Sequence, residues 1–191
     1  MLVSDSILKK VIDVALSKGA DFAEVYVEDT RRRQFSILDG RAEKAISGHS
    51  LGAGIRIFSG LEQTYTYTND LSEEGLVRAA RQAAAAMAAS GAHQAASFTP
   101  MQAFGSLRPE KLNRASEKQW ESLRIMDETA RTFSSLVTQV HAEMGETFKY
   151  VQILNSEGLH KQEGRPYLSA VARVYSEENG DKESGHERTA F

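Results

Sequence analysis

The sequence predicts an α+β protein: two related helix-plus-antiparallel-strand units, with helices packed on the sheets and an irregular linker between the units. Three observations predict this. The apolar period falls from about 3.6 to 2 just past Gly19. Turn dipeptides such as Asp39-Gly40 and Ser59-Gly60 then send the chain back antiparallel. The pattern also occurs twice. Ile37-Leu38-Asp39 is answered by Ile153-Leu154-Asn155, and Ile55-Arg56-Ile57-Phe58 by Ala172-Arg173-Val174-Tyr175, at an offset of about 115–117 residues.

The first helix spans Asp5 to Lys18, opening at Ser4 or Asp5 and closing at Gly19, a natural C′ residue. Ile7, Leu8, Val11, Ile12, Ala15 and Leu16 fall on its one apolar face. Ala23, Val25 and Val27 then alternate with Glu24, Tyr26 and Glu28, the pattern of a half-buried strand. Phe35 and Ile37 resume the alternation after a charged junction and run into the Asp39-Gly40 turn. Strands over 50–58 and 62–68 follow, with Tyr65 and Tyr67 on one face and Thr64, Thr66 and Thr68 on the other.

Asn69 to Ser72 with Glu73 and Glu74 starts a second helix, since carboxylates suit the positive end of the dipole. Its alanine-rich body, Leu76 to Ala89, implies close approach to a neighbouring surface. Periodicity fades over the linker, 90–113, which Gly91, Pro100, Gly105 and Pro109 punctuate. A third helix spans Ser116 to Phe133, with Trp120, Leu123, Met126 and Ala130 at helical spacing. Strands follow from Leu136, a turn at 155–158, more strand through Val174, and a last turn at Asn179-Gly180 into a polar end. The internal units are thus about 1–89 and 114–191. The second lacks the long helix that follows the first, so the chain is expected to be part of a longer protein.

Composition narrows the functional classes. The 191 residues are 41% hydrophobic and 26% charged, which fits a soluble globular protein with ample core. A net charge of -3 gives no field that attracts polyanions, so nucleic acid is not an expected partner. There is no membrane-length apolar run and no signal-peptide pattern at Met1 to Asp5. With no cysteine, disulfides and thiolate chemistry are excluded, and a cytoplasmic location is the simplest reading.

No constellation assembles a catalytic centre, and no catalytic, cofactor-binding or metal residue is assigned. His186-Glu187 begins like the zinc-peptidase pair His-Glu-x-x-His, but Ala190 stands where the second imidazole belongs. His49, His93, His141 and His160 are scattered and read as ordinary histidines. Gly52-Ala53-Gly54 opens no helix, so it reads as a closely packed or flexible strand start rather than a phosphate cradle. Arg31-Arg32-Arg33 reads as a solvated hairpin edge, with an anion or partner contact as the alternative. Tyr65 and Tyr67 read as packed under a helix, with a peptide-binding face as the alternative.

One succession is more specific. Gly19-Ala20-Asp21-Phe22-Ala23-Glu24-Val25-Tyr26 leads to Ser36-Ile37-Leu38-Asp39-Gly40-Arg41. Then come 52–60 and Tyr67-Thr68-Asn69-Asp70-Leu71-Ser72. It resembles the N-terminal region of the TldD/PmbA metallopeptidases, historically named modulators of DNA gyrase. Arg165-Pro166-Tyr167-Leu168-Ser169 to Glu183-Ser184-Gly185 looks like the TldD branch. The resemblance implies that 1–191 is an N-terminal domain and that the metal-binding domain is not in this chain. It implies zinc in the full-length protein, held by His-Glu-x-x-x-Asp-x-x-His, which no position here matches. It implies unfolded peptides as substrate, a homodimer or TldD/TldE-type heterodimer, and for this domain a share in dimerisation, cavity wall and substrate admission. The segment alone is then expected to be inactive. A non-catalytic PmbA/TldE-type partner or a stand-alone binding module is the alternative.

Overall fold

In the computed structural model, which describes residues 2–87, 99–101 and 117–190, four strands are far longer than the usual 5–6 residues. They are β1 (Phe22–Leu38), β2 (Arg41–Ser59), β5 (Val137–Asn155) and β6 (Leu159–Glu178). Shorter strands are β3 (Glu62–Thr68), β4 (Thr99–Met101) and β7 (Asp181–Ala190). The helices are α1 (Asp5–Leu16), α2 (Glu73–Ala85) and α3 (Glu117–Phe133). The predicted α+β class, with helices packed on sheet, holds. The linker lies outside the described residues apart from β4, which pairs parallel with β6.

The chain divides into two compact units. The first comprises Met1–Thr30, Ser50–Leu107 and Lys149–Gly164; the second comprises Arg31–His49, Arg108–Phe148 and Arg165–Phe191. Each long strand therefore contributes one stretch to each unit.

In the first unit the strand order is β3-β2-β1-β5-β6-β4. One face of that sheet meets α1 and α2. Leu8, Val11, Ile12, Ala15 and Leu16 of α1 are buried, as the periodicity predicts. They share a core with Ala23, Val25, Val27, Ile55, Ile57 and the α2 residues Leu76, Ala80 and Ala83. Alanines let α2 lie close on α1 and β3. The Thr64 and Thr66 hydroxyls donate to the carbonyls of Ala83 and Ala79, each at 3.1 Å. Ser72 caps α2 by accepting from the Gly75 amide at 3.1 Å. The buried Gln152 ties down the N-terminal segment. Its Oε1 accepts from the Leu2 and Val3 amides and its Nε2 donates to the Val3 carbonyl.

In the second unit the order is β2-β1-β5-β6-β7. Here α3 covers one face, packing Leu123 on Phe35, Ile37 and Ala142. Trp120 meets Phe35 edge-on, with ring centroids 5.4 Å apart. The β1–β2 turn has positive φ at both Asp39 (51°) and Gly40 (71°), the geometry that matches strand twist. Arg131 of α3 holds it. Its guanidinium donates to Asp39 Oδ1 at 2.6 Å and Asp127 Oδ2 at 3.0 Å, while Asp127 Oδ1 accepts from the Gly40 amide at 3.2 Å.

Three expectations change. The break between Val27 and Phe35 does not occur, because charges in mid-strand find cross-strand partners. In the first unit Lys149 pairs with Glu28 at 3.0 Å, and in the second Arg33 pairs with Glu146 at 2.7 Å. The polar end after Asn179-Gly180 is the strand β7, registered on β6 from Glu178↔Asp181 to Ser169↔Ala190. Positive φ at Asn179 and Gly180 sets that register without an apolar face. Finally, α2 stops at Ala85, capped by Ala86, short of the predicted Ala89.

Two outcomes test these contacts. A Cβ on Gly75 would lie 2.3 Å from Asp70 Cγ, so Gly75→Ala should cost about 1–3 kcal/mol by chemical denaturation. Exposed Glu74→Ala should stay within about 0.5 kcal/mol. The Val140 amide and then Arg131 hold the Asp39 carboxyl below its ordinary range. That stabilisation is present above an unfolded-state pKa of about 3.9 and is lost as pH falls through the lower folded value. Asp39→Asn, which tolerates the left-handed turn, should therefore flatten the loss of stability below about pH 4 in melting curves.

Candidate functional site

The residues that suggested metal or acid–base chemistry do not converge. His186 and Glu187 are exposed on β7 and His49 is exposed on β2, while His93 lies outside the described residues. His160 is buried in the first unit, with Nε2 3.0 Å from Gln162 Nε2 and 3.5 Å from Asp5 Oδ1. Among the described residues no three His, Cys, Asp or Glu side chains could hold a metal ion together. These residues therefore do not fit the metal of a metallopeptidase.

One polar chain escaped the sequence reading. The Ser36 hydroxyl donates to Glu43 Oε2 at 2.8 Å, and His141 Nε2 lies 3.0 Å from the same oxygen. The Ser36 bond chiefly holds the Glu43 carboxyl below its ordinary range. Serine, glutamate and histidine here have the carboxylate in the middle. A nucleophilic triad needs the imidazole there, so His141 meets Glu43 and not the fully buried Ser36 hydroxyl. The chain is a cross-strand tie between β1, β2 and β5.

Among the described residues, no helix covers the sheet face away from α1 and α2 in the first unit or the face away from α3 in the second. In the first unit β3 has one strand partner, β2, among the described residues, leaving its other edge open. Tyr65 and Tyr67 are 60% and 61% exposed, which corrects the expectation that they pack under a helix. Thr64 and Thr66 take the helix side. The two rings lie on strand β2 instead. A Cβ on Gly52 would come 2.2 Å from the Tyr67 hydroxyl oxygen, and one on Gly54 would come 2.4 Å from that of Tyr65. The two glycines are therefore a close-packing device, as one sequence reading holds. Next to them Arg56 sits over Phe58, 5.4 Å from the ring centroid, and pairs with Glu24 at 2.8 Å. An open backbone edge beside two upturned aromatic rings can receive an extended chain.

In the second unit the bare face forms a groove of about 550 Å³, bordered by Arg32, Glu143, Tyr167 and Arg188. The basic run is not a hairpin edge. It sits inside β1, with Arg33 turned to Glu146 and Arg32 exposed. Glu146 also accepts from Gln119 Nε2 of α3 at 2.6 Å.

Comparison with known proteins follows this architecture closely. A model described as PmbA/TldA metallopeptidase domain 1 matches residues 23–87, and one described as the PmbA/TldA metallopeptidase central domain matches 110–191. A Haemophilus influenzae protein named as a metalloprotease TldD homolog is 24% identical over 189 residues, covering 96% of this chain and 39% of its own length. The chain thus spans about two fifths of that relative. Among solved structures, a Bacteroides thetaiotaomicron protein named as a modulator of DNA gyrase has a TM-score of 0.76 at 14% identity. The match covers 100% of this chain and 46% of that one. TldE from Thermococcus kodakarensis has a TM-score of 0.75 at 16% identity, over 96% and 42%. At these identities the structures share the fold.

The tyrosine cover has a measurable consequence. Tyr65→Ala and Tyr67→Ala should each cost about 1 kcal/mol in denaturant unfolding despite their exposure, because each strips a glycine's backbone of its cross-strand partner. Leu61→Ala, at a fully exposed turn position, should change stability by less than about 0.5 kcal/mol.

Proposed function

The chain belongs to the PmbA/TldD metallopeptidase family, and on that premise we propose that it is the N-terminal domain of a TldD-like zinc metallopeptidase acting on unfolded peptides in the cytoplasm. The observation that carries this reading is the order of the matches. Domain 1 matches 23–87 and the central domain then matches 110–191, while the described residues offer no metal-binding cluster. The zinc site then belongs to a further domain, and 1–191 contributes to dimerisation, to the cavity wall and to substrate admission. The open β3 edge with Tyr65 and Tyr67 supports admission of extended chains. Main-chain bonding at a strand edge tolerates any sequence, which suits a peptidase for unfolded substrates. No helix among the described residues is long and apolar enough to cross a membrane.

A second reading is a non-catalytic TldE-type subunit paired with a TldD-type one, which the likeness to TldE favours.

The experiment is to express the natural reading frame beyond Phe191 and assay metal content and hydrolysis of an unstructured peptide. The expected result is a stretch carrying His-Glu-x-x-x-Asp-x-x-His, bound zinc, and cleavage that a chelator abolishes. The 191-residue chain alone should cleave nothing. A frame without that motif that gains activity only with a TldD-type partner would give the silent subunit. A stop codon after Phe191, or chelator-sensitive cleavage by the isolated chain, would overturn the proposal.

A further inference from the structure

We infer that the helix-free face of the second unit carries a subsite for acidic side chains of an extended peptide, with Arg32 and Arg188 as its charged contacts. The inference rests on the peptide-handling reading above and specifies the substrate chemistry this face prefers.

Register defines the face. Ser169 stands opposite Ala190, and Val171 opposite Arg188, so Arg188 and Ala190 share the Ser169 face. A Cβ on Gly145 would lie 2.9 Å from Ser169 Oγ, which puts the open side of Gly145 there too. Arg33 turns the other way, to Glu146 and Gln119 of α3. Its neighbour Arg32 must then point to the helix-free side, since strand side chains alternate. The groove of about 550 Å³ consequently has a floor of small residues, Gly145, Ser169 and Ala190, beside the 48% exposed Tyr167. Such a floor admits a backbone close to the sheet.

Charge selects the occupant. Arg33 and Glu146 neutralise each other. Arg32 and Arg188 are exposed and have no ionic or hydrogen-bonded partner among the described residues, and they face the single carboxylate of Glu143. The groove is therefore net positive in a chain whose net charge is -3. β1 and β7 flank β5 and β6. Arg33 meets Glu146, Gly145 meets Ser169 and Arg188 stands opposite Val171, so the two arginines are three strand spacings apart and about four residues out of step, with backbones about 19 Å apart. One carboxylate cannot bridge them, whereas an extended peptide covers that distance in about six residues. The fitting ligand is an unstructured peptide with two Asp or Glu side chains about six residues apart.

The test uses the 191-residue chain and two fluorescent, end-capped, unstructured peptides: one with glutamates about six residues apart, the other with glutamines in their place. Anisotropy titration should give roughly tenfold tighter binding of the acidic peptide, an advantage that added salt erodes. Arg32→Gln and Arg188→Gln should each weaken the acidic peptide about threefold and leave the glutamine peptide unchanged. Glu143→Gln should tighten the acidic peptide two- to threefold, the opposite direction to any loss of folding. All three sites lie on the surface, and unchanged thermal melts check the variants. Equal binding of both peptides, insensitive to the arginines, would sink this subsite while leaving peptide admission standing. Binding of neither peptide would sink both. Displacement of the acidic peptide by polyuridine, or by self-association in sedimentation that the arginine variants abolish, would reassign the face to another occupant and overturn the inference.

Discussion

One-sided cover is the constraint on which the structure depends. Among the described residues, helices lie on a single face of each unit's sheet, so the strands beneath them bury alternate residues and expose the rest, whereas β7 and Arg41–Ser50 of β2 are exposed throughout. The first unit makes the point on β3. Thr64 and Thr66 bond α2 carbonyls, while Tyr65 and Tyr67 are left on the other side. The second makes it on β1, where Arg33, Phe35 and Ile37 lie beneath α3 and Arg32 lies on the bare face. A slip of one residue in either strand would exchange the two sets. The fixed register therefore decides both what is core and what can meet a ligand.

Unusual strand length follows from how this alternation is kept up. None of the four strands of 17 to 20 residues is apolar on one face throughout. Mid-strand charges fill the gap in pairs. Glu28 meets Lys149 in the first unit, and in the second Arg33 meets Glu146, itself bonded to Gln119. Leaving one partner of the half-buried Arg33–Glu146 pair alone would cost more than the pair contributes, so its value is mainly in specifying register. The Arg131–Asp127–Asp39 cluster does the same at the turn, where a slip would otherwise be cheapest.

Much of this was legible in the sequence, for reasons that differ by element. α1 was readable almost to the residue because an amphipathic stripe ending in glycine is a local signal. Asp39-Gly40 and Asn179-Gly180 were readable because only a few residue types accept positive φ in succession. The continuity of β1 was not, since Asp29 to Arg33 looks like a loop until its partners on β5 are known, more than a hundred residues away. Which face the tyrosines take was also hidden. Period two places Tyr65 and Tyr67 together but does not say on which side α2 lies. The glycine pair at 52 and 54 was the available hint, since bare backbone on one strand invites a ring from the next.

On the proposed reading, these two faces are what a chain whose described residues hold no metal cluster would contribute to a peptidase. Hydrolysis needs a metal site, but choosing which unfolded chain reaches it needs only an accessible strand edge, aromatic surface and well-placed charge. The first unit offers edge and rings, which would act on any extended backbone. The second offers two separated guanidiniums over a small-residue floor, which would act on side chains. Backbone recognition alone would accept every unfolded protein, and charge recognition alone would accept folded acidic surfaces as well. A groove that admits only a close-lying extended strand, and favours it when carboxylates recur at the right interval, rejects both. Selectivity of that kind resides in the fold itself, since it depends on alternation across adjacent strands and not on any single residue.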